Sequence, residues 1–214
     1  SPLDPLNIYL ELAFYGIIMG LIPITLLQLL FIVSRQKVMG AHSDLSGMAA
    51  CHELALHFGK HRLKHVEIWI CGYGSKEIGS KGSKAFSEKH GKEIKGAKII
   101  NLDTIGMEDG KLVVGKSENF GLVNADKDLG QKIVSTARKM EHEIEDKSLI
   151  TFTDSLHFNR RNFPAASITT EGNTRSKKSF RQKKEDVLEN VDLDLLKSVF
   201  EICRELINQL DEKD

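Results

Sequence analysis

The sequence predicts an α/β protein, a mostly parallel sheet with helices on both faces, preceded by an N-terminal helical segment that crosses or re-enters a membrane. Three observations predict it. Mostly apolar runs of strand length, VEIWIC at 66–71, AKIINLD at 97–103 and FPAASITT at 163–170, are rich in β-branched residues, as strands covered on both faces are. Between and after them, apolar residues recur at three- and four-residue intervals, the helical period. Ahead of them all, Leu12–Ser34 carries no charged residue. At about 1.5 Å per residue such a run crosses roughly 30 Å of hydrocarbon.

Taken in order, the uncharged run is too long for an ordinary core helix. It is preceded by Asp4 and Glu11 rather than by basic residues, so it does not read as a signal peptide. Pro23, with Gly16 and Gly20 before it, predicts a kinked span or a re-entrant hairpin. Arg35 and Lys37 follow the run, and the positive-inside bias places the remainder in the cytoplasm, at a membrane. The chain thus divides into a membrane segment, 1–36, and an α/β domain, 37–214.

In the second part, Met48, Cys51, Leu54, Ala55 and Phe58 make the apolar face of a helix. VEIWIC, closed by Gly72 and Gly74, predicts a buried strand, and residues 80–91 a helix. AKIINLD and KLVVG (111–115) predict two further strands, and Asp126 opens a helix over 126–143. SLITF at 148–152 predicts a strand, Asp154–Arg161 a short helix, FPAASITT a strand, and 192–210 a closing helix with one apolar face from Leu195 to Leu210. Strands alternating with helices predict the parallel, two-sided sheet.

Lys plus Arg equals Asp plus Glu, 30 of each, so no overall field draws the chain to nucleic acid, and the partners expected are membrane lipid and protein. The biased stretch RSKKSFRQKK, 175–184, carries six basic residues in ten and reads as a solvated loop or as an anion or lipid-headgroup site. Cys51, Cys71 and Cys203 show no metal-finger spacing and read as buried thiols.

In an open α/β sheet ligands gather beyond the carboxyl ends of the strands, where the polar motifs of this sequence fall. GAHSDLSGMAACHELA (40–55), KEIGSKGSKAF (76–86), NLDTIG (101–106), TDSLHFNRRNFPAASITT (153–170) and EDVLENVD (185–192), in that order and spacing, resemble the M28 family of zinc aminopeptidases. The resemblance implies a zinc-exopeptidase-like fold and, in the family, two zinc ions that activate a water while a neighbouring glutamate shuttles its proton.

Position by position, the resemblance also implies what has changed. Ser43 stands where the family has the aspartate that bridges the two ions. Lys76 stands at the catalytic glutamate, followed by Glu77 at a ligand position. Gln182, beside Arg181, stands at a histidine ligand. The family's first histidine, on a strand upstream of the bridge, has no counterpart, because the membrane segment occupies that stretch. Glu77 and Asp103 are the retained ligands. His42, Asp44 and His157 are the other side chains able to join them in one weaker site, or else are structural. Lys76, Lys81 and Arg181 offer cations to an anion. Two readings follow from these positions. One is a binding or scaffold module in a membrane complex, with no cofactor. The other is a membrane-anchored, zinc-dependent aminopeptidase that hydrolyses N-terminal residues of peptides.

Overall fold

The computed structural model describes residues 5–32, 37–172 and 183–212 and divides the chain into two units, 1–37 and 38–214. The first unit contains one continuous helix, α1 (Pro5–Ile32), with Pro23 inside it and no hairpin break. Residues Asn7–Gln28 are long and apolar enough to cross a membrane, with a mean hydropathy of 2.0 and no residue buried by protein. Proline has no N–H to donate to the preceding turn. Two residues on, Thr25 Oγ1 donates to the Leu21 carbonyl at 2.6 Å, adding a bond to the same turn.

The second unit contains α2 (Ser46–Lys60), α3 (Lys81–His90), β1 (Ile99–Leu102), β2 (Gly110–Glu118), β3 (Val123–Asn124), α4 (Lys127–Lys139), β4 (Ile144–Ser148), α5 (Ser155–Asn159), β5 (Ala165–Gly172) and α6 (Leu193–Asp211). The sheet runs β1-β5-β2-β3, with β4 also on β2. Two pairings are parallel, β1 with β5 and β2 with β4, and two are antiparallel, β2 with β5 and β2 with β3. The α/β class therefore holds with a sheet that is mixed rather than largely parallel. Side chains alternate across it as the pleat requires. Ile99 and Ala165 face a cluster with Ile94 and Phe158, while Ile100, Ala166 and Ile168 face the main core with α2, α4 and α6.

Local chemistry sets the helix starts. Asp126 and Asp192 sit at the N-caps of α4 and α6, where their carboxylates accept the Leu129 amide at 2.7 Å and the Asp194 and Leu195 amides at 3.0 and 3.1 Å. Gly47 is required by packing, since a Cβ there would lie 2.3 Å from the Leu102 carbonyl oxygen. Thus the first turn of α2 rests directly on the end of β1.

Two sequence expectations change. The strand expected at 148–152 lies earlier, at Ile144–Ser148, in a stretch whose charges hid it. Those charges belong to exposed ion pairs across the sheet surface, Lys111 with Glu145 and Lys116 with Asp146, both at 3.2 Å. Among the described residues the run 66–71 joins no strand pairing, and Trp69 and Ile70 stand about half exposed, 48% and 45%. Of the cysteines, only Cys203 is fully buried, its thiol pushed up to about 12 by desolvation, whereas Cys51 and Cys71 are half-buried.

Candidate functional site

Four loops converge beyond the carboxyl end of β1. The turn Ala41–Leu45 enters α2, the short 3₁₀ turn Lys76–Ile78 follows the 66–71 run, Asp103 and Thr104 leave β1, and Asp154 precedes α5. Their backbones are unusual. Ser75, Gly79, Ser80 and Thr104 all have positive φ, between 50° and 96°, a region that non-glycine residues enter at a cost. Strain of this kind is held in place by surrounding structure. The Ala41–Leu45 turn has its own support in a fully buried carboxylate. Asp186 accepts the His42 amide at 2.6 Å and the Ser43 amide at 3.4 Å, fastening the Ala41–Leu45 turn.

At the centre, the Lys76 ammonium is ion-paired and hydrogen-bonded to Asp103 Oδ1. Both side chains are only 11% exposed. Thr104 Oγ1 donates to the same carboxylate oxygen at 3.0 Å. Asp154 stands close enough to feel both charges. Burial raises its carboxyl above the usual range, the Ser83 and Ser80 hydroxyls pull it back, the Asp103 charge raises it again and Lys76 lowers it. A cation paired with one carboxylate, with a second near enough to feel both charges, is thus the electrostatic core of this site.

The other sequence candidates are placed as follows. Ser43 is buried and donates to Asp44 Oδ2 at 2.9 Å. His42 is buried in the same turn, with Asp44 on its exposed side. His157, on α5, donates from Nε2 to the Gly79 carbonyl at 3.0 Å, which ties α5 to the loop after Lys76. Glu77 and Lys81 are exposed. Gln182 and Arg181, with most of the basic stretch 175–184, lie outside the described residues. Among the described residues no group of three or more His, Cys, Asp or Glu side chains is placed to hold a metal ion.

A sequence model of peptidase family M28 matches residues 31–207. The chain belongs to family M28. Its fold is that of solved aminopeptidases. It is similar to the LapA aminopeptidase of Legionella pneumophila (TM-score 0.72, 16% identity, 85% of this chain and 49% of that one). It is also similar to BSAP, a zinc aminopeptidase from Bacillus subtilis (0.68, 18%, 83% and 44%), and to an aminopeptidase from Aneurinibacillus sp. strain AM-1 (0.63, 23%, 82% and 41%). The chain spans about half the length of these structures or less. No curated protein sequence matches it.

Against the M28 pattern, the residues present do not fit a pair of zinc ions. Asp103, which the motif resemblance sets at a ligand position, is already paired with the ammonium of Lys76, which the same resemblance sets at the catalytic glutamate. Ser43, which the resemblance sets at the bridging carboxylate, offers a hydroxyl that is turned to Asp44. A divalent ion seated here would have to displace Lys76 and overcome its charge.

Three residues of the site were missed in the sequence. Asp154 and Asp186 lie inside TDSLHF and EDVLENVD, but nothing in the local pattern says that the first is half-buried and the second fully buried. Glu118 has no sequence signal at all. It ends β2 with no exposed surface and accepts the Thr153 amide at 2.7 Å, Thr153 Oγ1 at 2.9 Å and the Ser155 hydroxyl. Ser167 of β5 joins them, 2.7 Å from Thr153 Oγ1 and 2.9 Å from Ser155 Oγ. This network sets the turn that carries Asp154.

Proposed function

We propose that this chain is a membrane-anchored member of family M28 that has lost zinc-dependent peptidase chemistry and serves as a binding or scaffold subunit. The carrying observation is the nearly buried Lys76–Asp103 pair. A protonated lysine cannot act as the base that a metal-bound water requires, and it cancels the charge that would draw the ion. The framework around it is kept: Asp186 still fastens the turn into α2, and Glu118 still fastens the turn into α5. A retained frame around an altered centre suits a surface used for assembly.

The test is a zinc titration of the purified full chain, read by metal analysis, with an N-terminal leucine anilide as reporter of peptidase activity. The expected result is metal well below one ion per chain that does not rise with added zinc, and no release of the amine. Two ions per chain with hydrolysis would replace this reading by that of an active, membrane-anchored zinc aminopeptidase.

Anchoring has its own measurement. The fully exposed apolar helix supports a membrane span, and the Arg35 and Lys37 charges after it support a cytoplasmic domain. Deleting residues 1–36 is expected to convert a detergent-requiring protein into one that stays soluble and monomeric without detergent. A full chain that is already soluble and monomeric would remove the anchor from the proposal.

A further inference from the structure

The last turn of α2 carries two histidines four residues apart, His57 and His61, which a helix sets one above the other on its surface. The His61 amide donates to the His57 carbonyl at 2.9 Å and keeps that turn closed. The two rings lie 4.6 Å apart, centre to centre, with their planes 34° from each other. His57 is about three turns, roughly 16 Å, along α2 from the end that rests on β1. The pair therefore stands apart from the M28 centre.

Neither ring makes a hydrogen bond or an ion pair among the described residues, whereas other histidines are engaged. His90 meets Glu93 at 3.1 Å, His142 meets Glu201 at 3.3 Å and His157 meets the Gly79 carbonyl at 3.0 Å. Packing sets the His57 ring. It stands edge-on to Phe58, 86° at 4.9 Å, and to Phe200 of α6, 82° at 6.0 Å. His61 is exposed, so its ring can turn to meet a ligand that His57 already holds.

The spacing suits a shared ion. A ring nitrogen binds a divalent transition ion at about 2.0 Å, which puts the ion about 3.2 Å from the ring centre. Two centres 4.6 Å apart then subtend about 90° at it, whereas a tetrahedral angle would need about 5.2 Å. A right angle between two imidazoles belongs to tetragonal and octahedral ions. Tetrahedral zinc asks for three or four protein ligands, and among the described residues no third His, Cys, Asp or Glu is placed to join this pair. One charge opposes any cation here: Arg204 lies 5.6 Å from the Phe200 ring, and after burial and His61 it lowers the proton affinity of His57. The carbonyl end of α2, which attracts cations, offsets it.

We propose that His57 and His61 chelate one divalent transition-metal ion, nickel(II) or copper(II), with water in its remaining positions. The ion clips the last turn of α2, which Phe200 joins to α6.

The test is a calorimetric titration of the full chain in detergent, free of any polyhistidine tag, with nickel(II), copper(II) and zinc(II) chloride. One nickel ion per chain is expected, bound more tightly than zinc and less tightly than copper. His57→Ala and His61→Ala are each expected to weaken nickel binding at least tenfold, because either breaks the chelate, and the double variant is expected to weaken it little further. His61 is exposed, so His61→Ala is expected to keep the parent's unfolding midpoint without metal. The electron paramagnetic resonance spectrum of bound copper is expected to show coupling to two imidazole nitrogens. Nickel binding that survives either single variant would place the ion elsewhere and overturn the proposal. So would no binding at millimolar nickel, or zinc bound more tightly than nickel. The zinc titration of the M28 centre is repeated on the double variant, so that two ions found there would remove the scaffold reading and leave this site standing.

Discussion

Lys76→Ala is expected to destabilise the chain by about 3 kcal/mol near neutral pH, because it removes one partner of a nearly buried ion pair and leaves the other charge behind. The charge left behind is not alone. Asp154 already has its carboxyl raised by burial and by Asp103, and without the ammonium the repulsion between the two carboxylates is uncompensated. The sign of the pH dependence follows. In the variant, the folded state binds protons at this site more tightly than the unfolded chain does, so its stability falls as pH rises and recovers as pH drops toward the carboxylate range. The deficit relative to the parent chain is therefore largest at neutral pH and shrinks toward pH ~4. Chemical denaturation at the two pH values checks both parts. A deficit below about 0.5 kcal/mol, equal at both, is the surface-pair outcome. It would mean that Lys76 does not hold the centre of this site.

The second large effect is expected at Glu118. Glu118→Ala removes a carboxylate with no exposed surface and strands three donors, the Thr153 amide, the Thr153 hydroxyl and the Ser155 hydroxyl. Hydroxyls can rotate toward Ser167, but the Thr153 amide has no such freedom, and a cavity is left besides. The expected loss is about 4 kcal/mol. Glu118→Gln keeps an oxygen for the Thr153 donors and offers its amide to a hydroxyl that can accept, so it is expected to lose only about 1–2 kcal/mol. Denaturation midpoints of the two variants order them. Equal losses would show that the carboxylate itself is required there, since glutamine keeps the volume of the side chain and would gain nothing from it.

Both sites differ in how far they could be read from the residues alone. Lys76 was visible because it interrupts a motif: an amine stands where the family's chemistry needs an acid. That its ammonium lies on Asp103, 27 residues away, was not visible, because the pair is made by the convergence of the 66–71 run and β1. Glu118 was invisible throughout. Its setting at the end of KLVVGKSE looks like any solvated strand end, and its burial comes from Thr153 and Ser155 arriving from a later loop. The sequence leaves His157 open between a structural histidine and a ligand, and gives no sign of its bond to the Gly79 carbonyl, 78 residues away.

Periodicity and composition were enough for the α/β class, the amphipathic helices and the apolar segment near the N-terminus, because each is a property of neighbouring residues or of their spacing, and the resemblance of five motifs in order pointed to family M28. Strand pairing, the mixed direction of the sheet, the burial of Glu118 and Asp186, and the unpaired state of Val66–Cys71 were decided only by the tertiary structure. An apolar hexapeptide specifies that it prefers to be covered. What covers it, and whether its backbone finds a partner, depends on segments distant in the chain.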